Sequence, residues 1–160
     1  DTSQMNKNEL AVLRNETIGF IFQFHHLLPE FTVLENVLMP YRIMHNKVTQ
    51  EARDRAEYLI DMVGLSKVKN NGSNEISGGQ QQRAAIARSL INEPKLILGD
   101  EPTGNLDSDT TKIIFELLKD INKELNTTFI LITHDQKVAQ QTDRVIEIQD
   151  GHVGLDVQNM

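Results

Sequence analysis

The residues with the clearest chemical potential lie between positions 77 and 107. The Ser-Gly-Gly turn that begins at Ser77 opens a segment of helical character. The N–H groups and the positive dipole end at such a helix start attract anions. Asp100 and Glu101 follow a short apolar run, at the kind of strand end where open α/β sheets bind ligands. A phosphate-attracting turn near carboxylates that can hold a cation and polarise water indicates nucleotide hydrolysis.

Two more polar residues follow apolar, β-rich runs. Gln23 comes after the run 17–22, and His134 comes after the run 128–132. Taken alone, Gln23 is typical of a loop and His134 of a helix cap or a packed side chain. Strand ends of a parallel sheet converge at one edge, however, so we expect these residues to lie near Asp100 and Glu101.

Alternating strands and helices must position these residues. Apolar runs predict strands over 17–22, 95–99, 128–132 and 144–148. Helical periodicity and capping residues predict helices over 32–39, 49–63, 80–92 and 108–125, and a short helix after Asp135. We expect Pro40 to end the first helix and the Asp150-Gly151 turn to fold the tail back as a hairpin. This order predicts an α/β fold with a parallel sheet covered by helices on both faces.

Composition excludes several classes of partner. The chain has 160 residues and a net charge of −7, which argues against binding to nucleic acid. No apolar stretch is long enough to cross a membrane, so we expect no direct membrane insertion. Attachment to a membrane would then depend on a partner protein. The absence of cysteine excludes disulfides and thiolate metal sites within these residues.

Four segments resemble the motifs of ABC-type ATPases. I-S-G-G-Q-Q-Q-R resembles the signature motif, and L-I-L-G-D-E-P-T-G-N-L-D resembles the Walker B strand and D loop. F-I-F-Q resembles the Q loop and I-T-H-D the switch-histidine segment. The longer run F-I-F-Q-F-H-H-L-L-P-E-F-T-V-L-E-N-V-L-M-P is similar to the lipoprotein-releasing (LolD-type) subfamily, with macrolide-export (MacB-type) ATPases as near relatives.

The resemblance implies a P-loop NTPase-type parallel sheet with an α-helical signature subdomain, and ATP and Mg²⁺ as cofactors. It divides the chain into the end of the core with the Q loop (1–23), the helical signature subdomain (24–92), and a core segment with Walker B, D loop and switch histidine (93–160).

The resemblance also implies a role for each motif residue. Asp100 would hold Mg²⁺ through water, and Gln23 would reach Mg²⁺ and the attacking water. Glu101 would act as general base, and His134 would contact the γ-phosphate. Across a dimer interface, the γ-phosphate of the opposite subunit's ATP would be contacted by Ser77, Gly78, Gly79 and Gln80. The D loop at the same interface would be formed by Asn105, Leu106 and Asp107.

The family places the segment after Gln23 under the coupling helices of transmembrane subunits. We therefore expect Phe24, His25, His26, Leu27 and Leu28 to contact permease partners. The alternative is that the apolar members belong to the core. We interpret the two histidines as loop contacts rather than metal ligands. Arg83 and Arg88 are expected to form salt bridges on a helix surface.

One family element does not occur in these residues: no G-x-x-x-x-G-K-[ST] loop is present. In the family this Walker A loop lies several tens of residues before the Q loop, so we expect the sequence to be a piece of a longer protein. An ATPase that dispenses with the loop is the alternative. The family's phosphate-loop strand lies inside the same sheet, so the 160 residues alone should expose strand 128–132, bind ATP weakly and aggregate.

The leading hypothesis is an ATP-hydrolysing subunit that works as a dimer with permeases, on the cytoplasmic side of the inner membrane, to release lipoproteins. A MacB-like or cell-division-type exporter ATPase is the first alternative. A soluble ABC protein of DNA repair or translation is another, although the short spacing between Gln23 and Ser77 leaves no room for the long coiled coil of the repair type. A non-catalytic interaction fragment also remains open.

Overall fold

The computed structural model describes residues 2–159. In chain order the elements are α1 (Lys7–Thr17), β1 (Ile18–Phe22), α2 (Val33–His45), α3 (Gln50–Met62), α4 (Gly78–Ser89), β2 (Leu96–Asp100), α5 (Ser108–Leu125), β3 (Thr128–Ile132), α6 (Gln136–Ala139), β4 (Arg144–Gln149) and β5 (His152–Gln158). Most bounds agree with the predicted elements to within two or three residues.

The three strands β1, β2 and β3 form a parallel sheet in that order, which confirms the predicted fold class. Their register places Phe22 opposite Asp100, and Asp100 opposite Ile132. All three strands therefore end at the same level. The residues that follow them, Gln23 and Glu101 among them, leave the sheet at one edge.

The tail folds back as predicted. β4 and β5 pair antiparallel, and the turn residues Asp150 and Gly151 have φ of 50° and 78°. Such positive values suit a tight hairpin turn. Among residues 2–159 this hairpin is a separate sheet, so β4 does not extend the parallel one.

The prediction that Pro40 ends α2 is wrong. The helix begins with a capping box between Thr32 and Glu35 and continues through Pro40 to His45. Proline lacks the N–H that would bond the carbonyl of Asn36, a loss that normally interrupts a helix. Here Val37 and Leu38 are buried before the proline and Tyr41 packs against the core after it. Tertiary packing on both sides thus outweighs the missing hydrogen bond.

One buried cluster joins the sheet to the helices. It includes Ile21 and Ile97 from the strands, Ile86 from α4, and Ile114 from α5, all fully buried. This cluster packs α4 and α5 against the parallel sheet. The division at residues 23 and 92 stays a prediction. No helix within residues 2–159 has the length and apolar character that a membrane crossing requires.

Candidate active site

Glu101 and His134 meet at the carboxyl edge of the sheet. Glu101 has a φ of 47°, and its N–H donates to the carbonyl of Ile132 at the end of β3 (2.9 Å). That bond fixes its backbone beside the segment that carries His134. His134 Nδ1 lies 2.5 Å from Glu101 Oε1. The hydrogen bond, and then the carboxylate charge, raise the pKa of His134 above its usual value. The predicted general base and the residue predicted to contact the γ-phosphate are thus in direct contact.

Gln23 and Asn105 form a reciprocal pair at the same edge. Gln23 Nε2 donates to Asn105 Oδ1 (3.1 Å), and Asn105 Nδ2 donates to the Gln23 carbonyl (3.3 Å). Sequence reasoning did not single out Gly104 beside them. A Cβ on Gly104 would lie 2.9 Å from Gln23 Nε2 and 3.3 Å from Glu101 Oε2. The absence of a Cβ at Gly104 therefore lets the Gln23 amide and the Glu101 carboxylate approach the same turn. The position of Gly104 inside the D-E-P-T-G-N run was the sequence signal for this role.

Asp100 lies exposed at the end of β2. No group of three or more His, Asp or Glu side chains within residues 2–159 could hold a metal ion by itself. Mg²⁺ is commonly bound through one or two carboxylates, waters and substrate phosphates. A single exposed carboxylate next to Glu101 and near a glutamine amide fits such an ion when the nucleotide supplies further oxygens.

The start of α4 is a capped helix terminus. Ser77 Oγ accepts from the Gln80 N–H (3.3 Å), and Gln80 Oε1 accepts from the Ser77 N–H (2.9 Å). The two glycines between them differ. A Cβ on Gly79 would lie 2.8 Å from Thr110 Cγ2 of α5, whereas a Cβ on Gly78 would meet nothing within 4 Å. Packing inside the chain therefore explains the glycine at 79 and not the glycine at 78.

A cleft of about 360 Å³ joins this terminus to the turn before α5. Its lining includes the predicted signature residues Ser77, Gly78 and Gly79, and the predicted D-loop residues Asn105, Leu106 and Asp107. Asp100, Glu101 and His134 are not part of the lining. The structure thus groups most of the predicted catalytic and ATP-binding residues into two places, the sheet edge and this cleft, and Asn105 belongs to both. Gln80 lies at the start of α4 but does not line the cleft.

Asp107 is the N-cap of α5. Its side chain accepts from the N–H groups of Asp109 (3.0 Å) and Thr110 (2.9 Å), and from the Thr110 hydroxyl (2.7 Å). The bond from that hydroxyl, followed by the one from the Thr110 N–H, lowers the pKa of Asp107. This carboxylate therefore sets the start of α5 as well as facing the cleft.

Comparison with known proteins shows the family of the chain. The family described as ABC transporter matches residues 1–104. The chain belongs to this family. It is 52% identical over 153 residues to the lipoprotein-releasing system ATP-binding protein LolD 1 of Chlorobium chlorochromatii, covering 96% of this chain and 62% of that protein. It is 42% identical over 151 residues to LolD of Legionella pneumophila, covering 94% and 66%. The chain thus spans about two thirds of the length of these relatives.

Solved ABC structures share the fold. A dimeric ATP-binding cassette in a post-hydrolysis state, bound to ADP and Pi, superposes with a TM-score of 0.84 at 40% identity, over 99% of this chain and 70% of that one. A subunit of the cbiONQ ABC transporter complex of Clostridium perfringens superposes with a TM-score of 0.85 at 30% identity, over 96% and 61%. The P-loop-type sheet expected from the ABC resemblance is confirmed.

The segment predicted to dock on ABC permeases splits into exposed and inward residues. Phe24 is 65% exposed and Leu28 is 40% exposed. Leu27 packs against the core instead, and His25 bonds to Gln82 of α4. His26 is exposed and makes an edge contact with the ring of Phe22. Phe24 and Leu28 are therefore the apolar members of the segment best placed to touch another protein.

Asn36 anchors this segment, and sequence reasoning missed it. The side chain is fully buried, accepts from the Leu28 N–H (2.7 Å) and donates to the Leu28 carbonyl (3.1 Å). The Ser73 hydroxyl donates to the same carbonyl (2.9 Å). An asparagine in a helical apolar pattern was the available signal, because a buried amide must find partners.

The salt bridges expected for Arg83 and Arg88 are absent among residues 2–159. Arg83 donates to the carbonyl of Val63 (3.1 Å). Arg88 donates to the carbonyls of His26 (2.6 Å) and His25 (2.7 Å), and its burial lowers its pKa. Both guanidinium groups thus donate hydrogen bonds to backbone carbonyls of neighbouring segments. The sequence pattern did not indicate that these carbonyls would require donors.

Proposed function

We propose that this chain forms the catalytic and dimer-contacting part of an ATP-hydrolysing subunit that drives lipoprotein release from the membrane. The observation that carries the hydrolytic part is the contact of Glu101 with His134 at the edge where Gln23 also lies. The LolD relatives support the transport part, because they match nearly the whole chain. Both lines of support concern the same residues.

At the sheet edge, Asp100 and Gln23 would hold Mg²⁺ together with phosphate oxygens of ATP. The ion would neutralise charge on the phosphates. Glu101 would accept a proton from the attacking water, and His134 would hold the γ-phosphate and orient Glu101. These groups act mainly by positioning and electrostatic stabilisation, as phosphoryl transfer requires.

At the start of α4, Ser77, Gly78, Gly79 and Gln80 would bind the γ-phosphate of an ATP held by a second copy. Two observations support this arrangement. Gly78 stands in open space, which leaves room for a phosphate, and a related cassette is dimeric. The D-loop residues Asn105, Leu106 and Asp107 would lie at the same dimer interface. Asn105 bonds to Gln23, so it would link the cleft to the sheet edge.

The exposed side chains of Phe24 and Leu28, with His25, His26 and Leu27 around them, would face the transmembrane permease subunits. The subunit would then lie on the cytoplasmic side of the inner membrane. Partner docking is the proposed means of attachment, because the described helices offer no membrane-spanning segment.

The test uses a chimera in which the part of Chlorobium chlorochromatii LolD 1 that precedes the matched region is joined to residues 1–160. The chimera is reconstituted with that relative's permeases in vesicles that carry a lipoprotein. We expect ATP-dependent release of the lipoprotein into solution, and loss of release with Glu101→Gln. The relative's own LolD 1 serves as the positive control. ATP hydrolysis without lipoprotein release, in vesicles where that control works, would contradict the transport function.

A further inference from the structure

Gln82 is a fully buried polar residue that has no role in the function proposed above. It lies on α4 between the signature residues and the apolar residues Ala84, Ala85 and Ile86, and its exposure is 0%. A buried amide is costly unless its hydrogen bonds are satisfied. Its partners therefore indicate why an amide stands at this position.

The partners determine the orientation of the Gln82 amide. Nε2 lies 2.5 Å from the Pro102 carbonyl and 3.5 Å from the Phe22 carbonyl, and both of these groups only accept hydrogen bonds. Oε1 therefore faces His25 Nδ1, at 2.5 Å. Since Oε1 also only accepts, His25 Nδ1 must carry the proton. Gln82 uses both ends of its amide.

Each contact lies next to a residue of the proposed site. Pro102 is buried and directly follows Glu101, and Phe22 directly precedes Gln23. His25 belongs to the segment proposed to meet the permeases. Arg88, further along the same helix, donates to the carbonyls of His25 and His26. The helix α4, which begins at the Ser-Gly-Gly turn, is thus bonded both to the turn that follows β2 and to the segment 24–28.

We propose that Gln82 is a positioning residue that holds Glu101, through Pro102, in register with the signature helix α4. Binding of the second copy's ATP at the start of α4 would then be transmitted to the general base of this chain. His25 completes the link, because its Nδ1–H keeps the amide turned toward Pro102. The inference rests on the proposed ATPase function. It adds a residue that couples the start of α4, in the cleft, to Glu101 at the sheet edge.

The experiment compares Gln82→Met with Gln81→Met in the chimera, without permeases. Methionine matches glutamine in length and volume but cannot bond to Pro102, Phe22 or His25. The control, Gln81, is adjacent on α4, and its amide donates to the Ser73 carbonyl (2.8 Å). We expect Gln82→Met to lower kcat by about tenfold or more while KM for ATP changes little, because misplacing a catalytic group slows chemistry more than binding. Gln81→Met should keep the kcat of the parent chimera.

If Gln82→Met does not fold, a second pair of variants tests the same proposal. His25→Leu removes the N–H that faces Oε1, whereas His25→Asn retains a side-chain N–H. We expect a lower kcat for His25→Leu than for His25→Asn, at matching KM. Equal kcat values in this pair, an unchanged kcat in Gln82→Met, or an equal loss in Gln81→Met would overturn the positioning role. A parent chimera that binds ATP without hydrolysing it would refute the proposed function itself, and the inference with it.

Discussion

Nδ1 of His134 lies 2.5 Å from Oε1 of Glu101, so the proposed switch histidine is bonded directly to the proposed general base. The side chain of His134 is 84% exposed and that of Glu101 is 22% exposed. The carboxylate is thus the sheltered partner and the ring the accessible one. In the proposed ATPase, a bound nucleotide would therefore have access to the ring, and the geometry of Glu101 would depend on how that ring is held.

Removing the Glu101 carboxylate should separate ATP binding from hydrolysis. In the chimera, Glu101→Gln should lower kcat by about a hundredfold or more and leave ATP binding within about twofold, because the amide keeps the shape but cannot accept the proton of water. Single-turnover hydrolysis and nucleotide titration measure the two effects. Glu116→Gln on the exposed surface of α5 is the matched control. Near-parental turnover in Glu101→Gln would remove this residue from the base role.

The titration of His134 should depend on Glu101. Since the hydrogen bond and the charge of Glu101 raise the pKa of His134, the ion pair stabilises the folded state fully below the ordinary histidine pKa. That contribution is lost as pH rises through the raised value. NMR titration of the His134 ring protons in the chimera should show a pKa above the ordinary one. Glu101→Gln should lower the pKa substantially, and Asp135→Asn should lower it less. Identical titration curves in the parent and Glu101→Gln would contradict the contact.

Alanine substitutions at Gly78 and Gly79 should affect different properties, dimerisation in the first case and stability in the second. Gly79→Ala places a Cβ 2.8 Å from Thr110 Cγ2, so we expect a loss of about 1–3 kcal/mol in unfolding free energy. Thr110→Ser removes that methyl group and keeps the hydroxyl that bonds to Asp107, so it should restore part of the loss. Chemical denaturation of the chimera measures both changes.

Gly78→Ala should leave the unfolding free energy within about 0.5 kcal/mol, because its Cβ meets nothing within 4 Å. It should instead weaken ATP-dependent dimerisation, measured by light scattering in the Glu101→Gln background. Unaltered dimerisation in Gly78→Ala would argue against a phosphate at this position, and equal destabilisation by both alanines would contradict the packing difference.

The 160 residues alone should associate and bind ATP weakly. On β3, Ile130 is 52% exposed and Ile132 is 63% exposed, and on β4 Ile148 is 70% exposed. Exposed apolar strands of this kind favour intermolecular contact. Light scattering and ATP titration of the chain, beside the chimera as control, check this expectation. A monodisperse chain with micromolar ATP affinity would contradict it.

Local signals predicted most of the secondary structure. Thr49, Asp107 and Asp135 were recognisable as helix caps because capping involves partners within three residues. The failure at Pro40 has the opposite cause. Burial of Val37 and Leu38 depends on elements distant in sequence, and this packing overrode the local tendency of proline to end a helix.

The amino-acid sequence by itself determined the family, the sheet and the identity of the motif residues, because these depend on residue type, spacing and periodicity along the chain. Only the tertiary structure decided which of them touch. The bonds of Glu101 to His134, of Gln23 to Asn105 and of Gln82 to Pro102 join residues 33, 82 and 20 positions apart. Such contacts depend on strand register and on the packing of α4 against the sheet, which residue type and spacing alone do not specify.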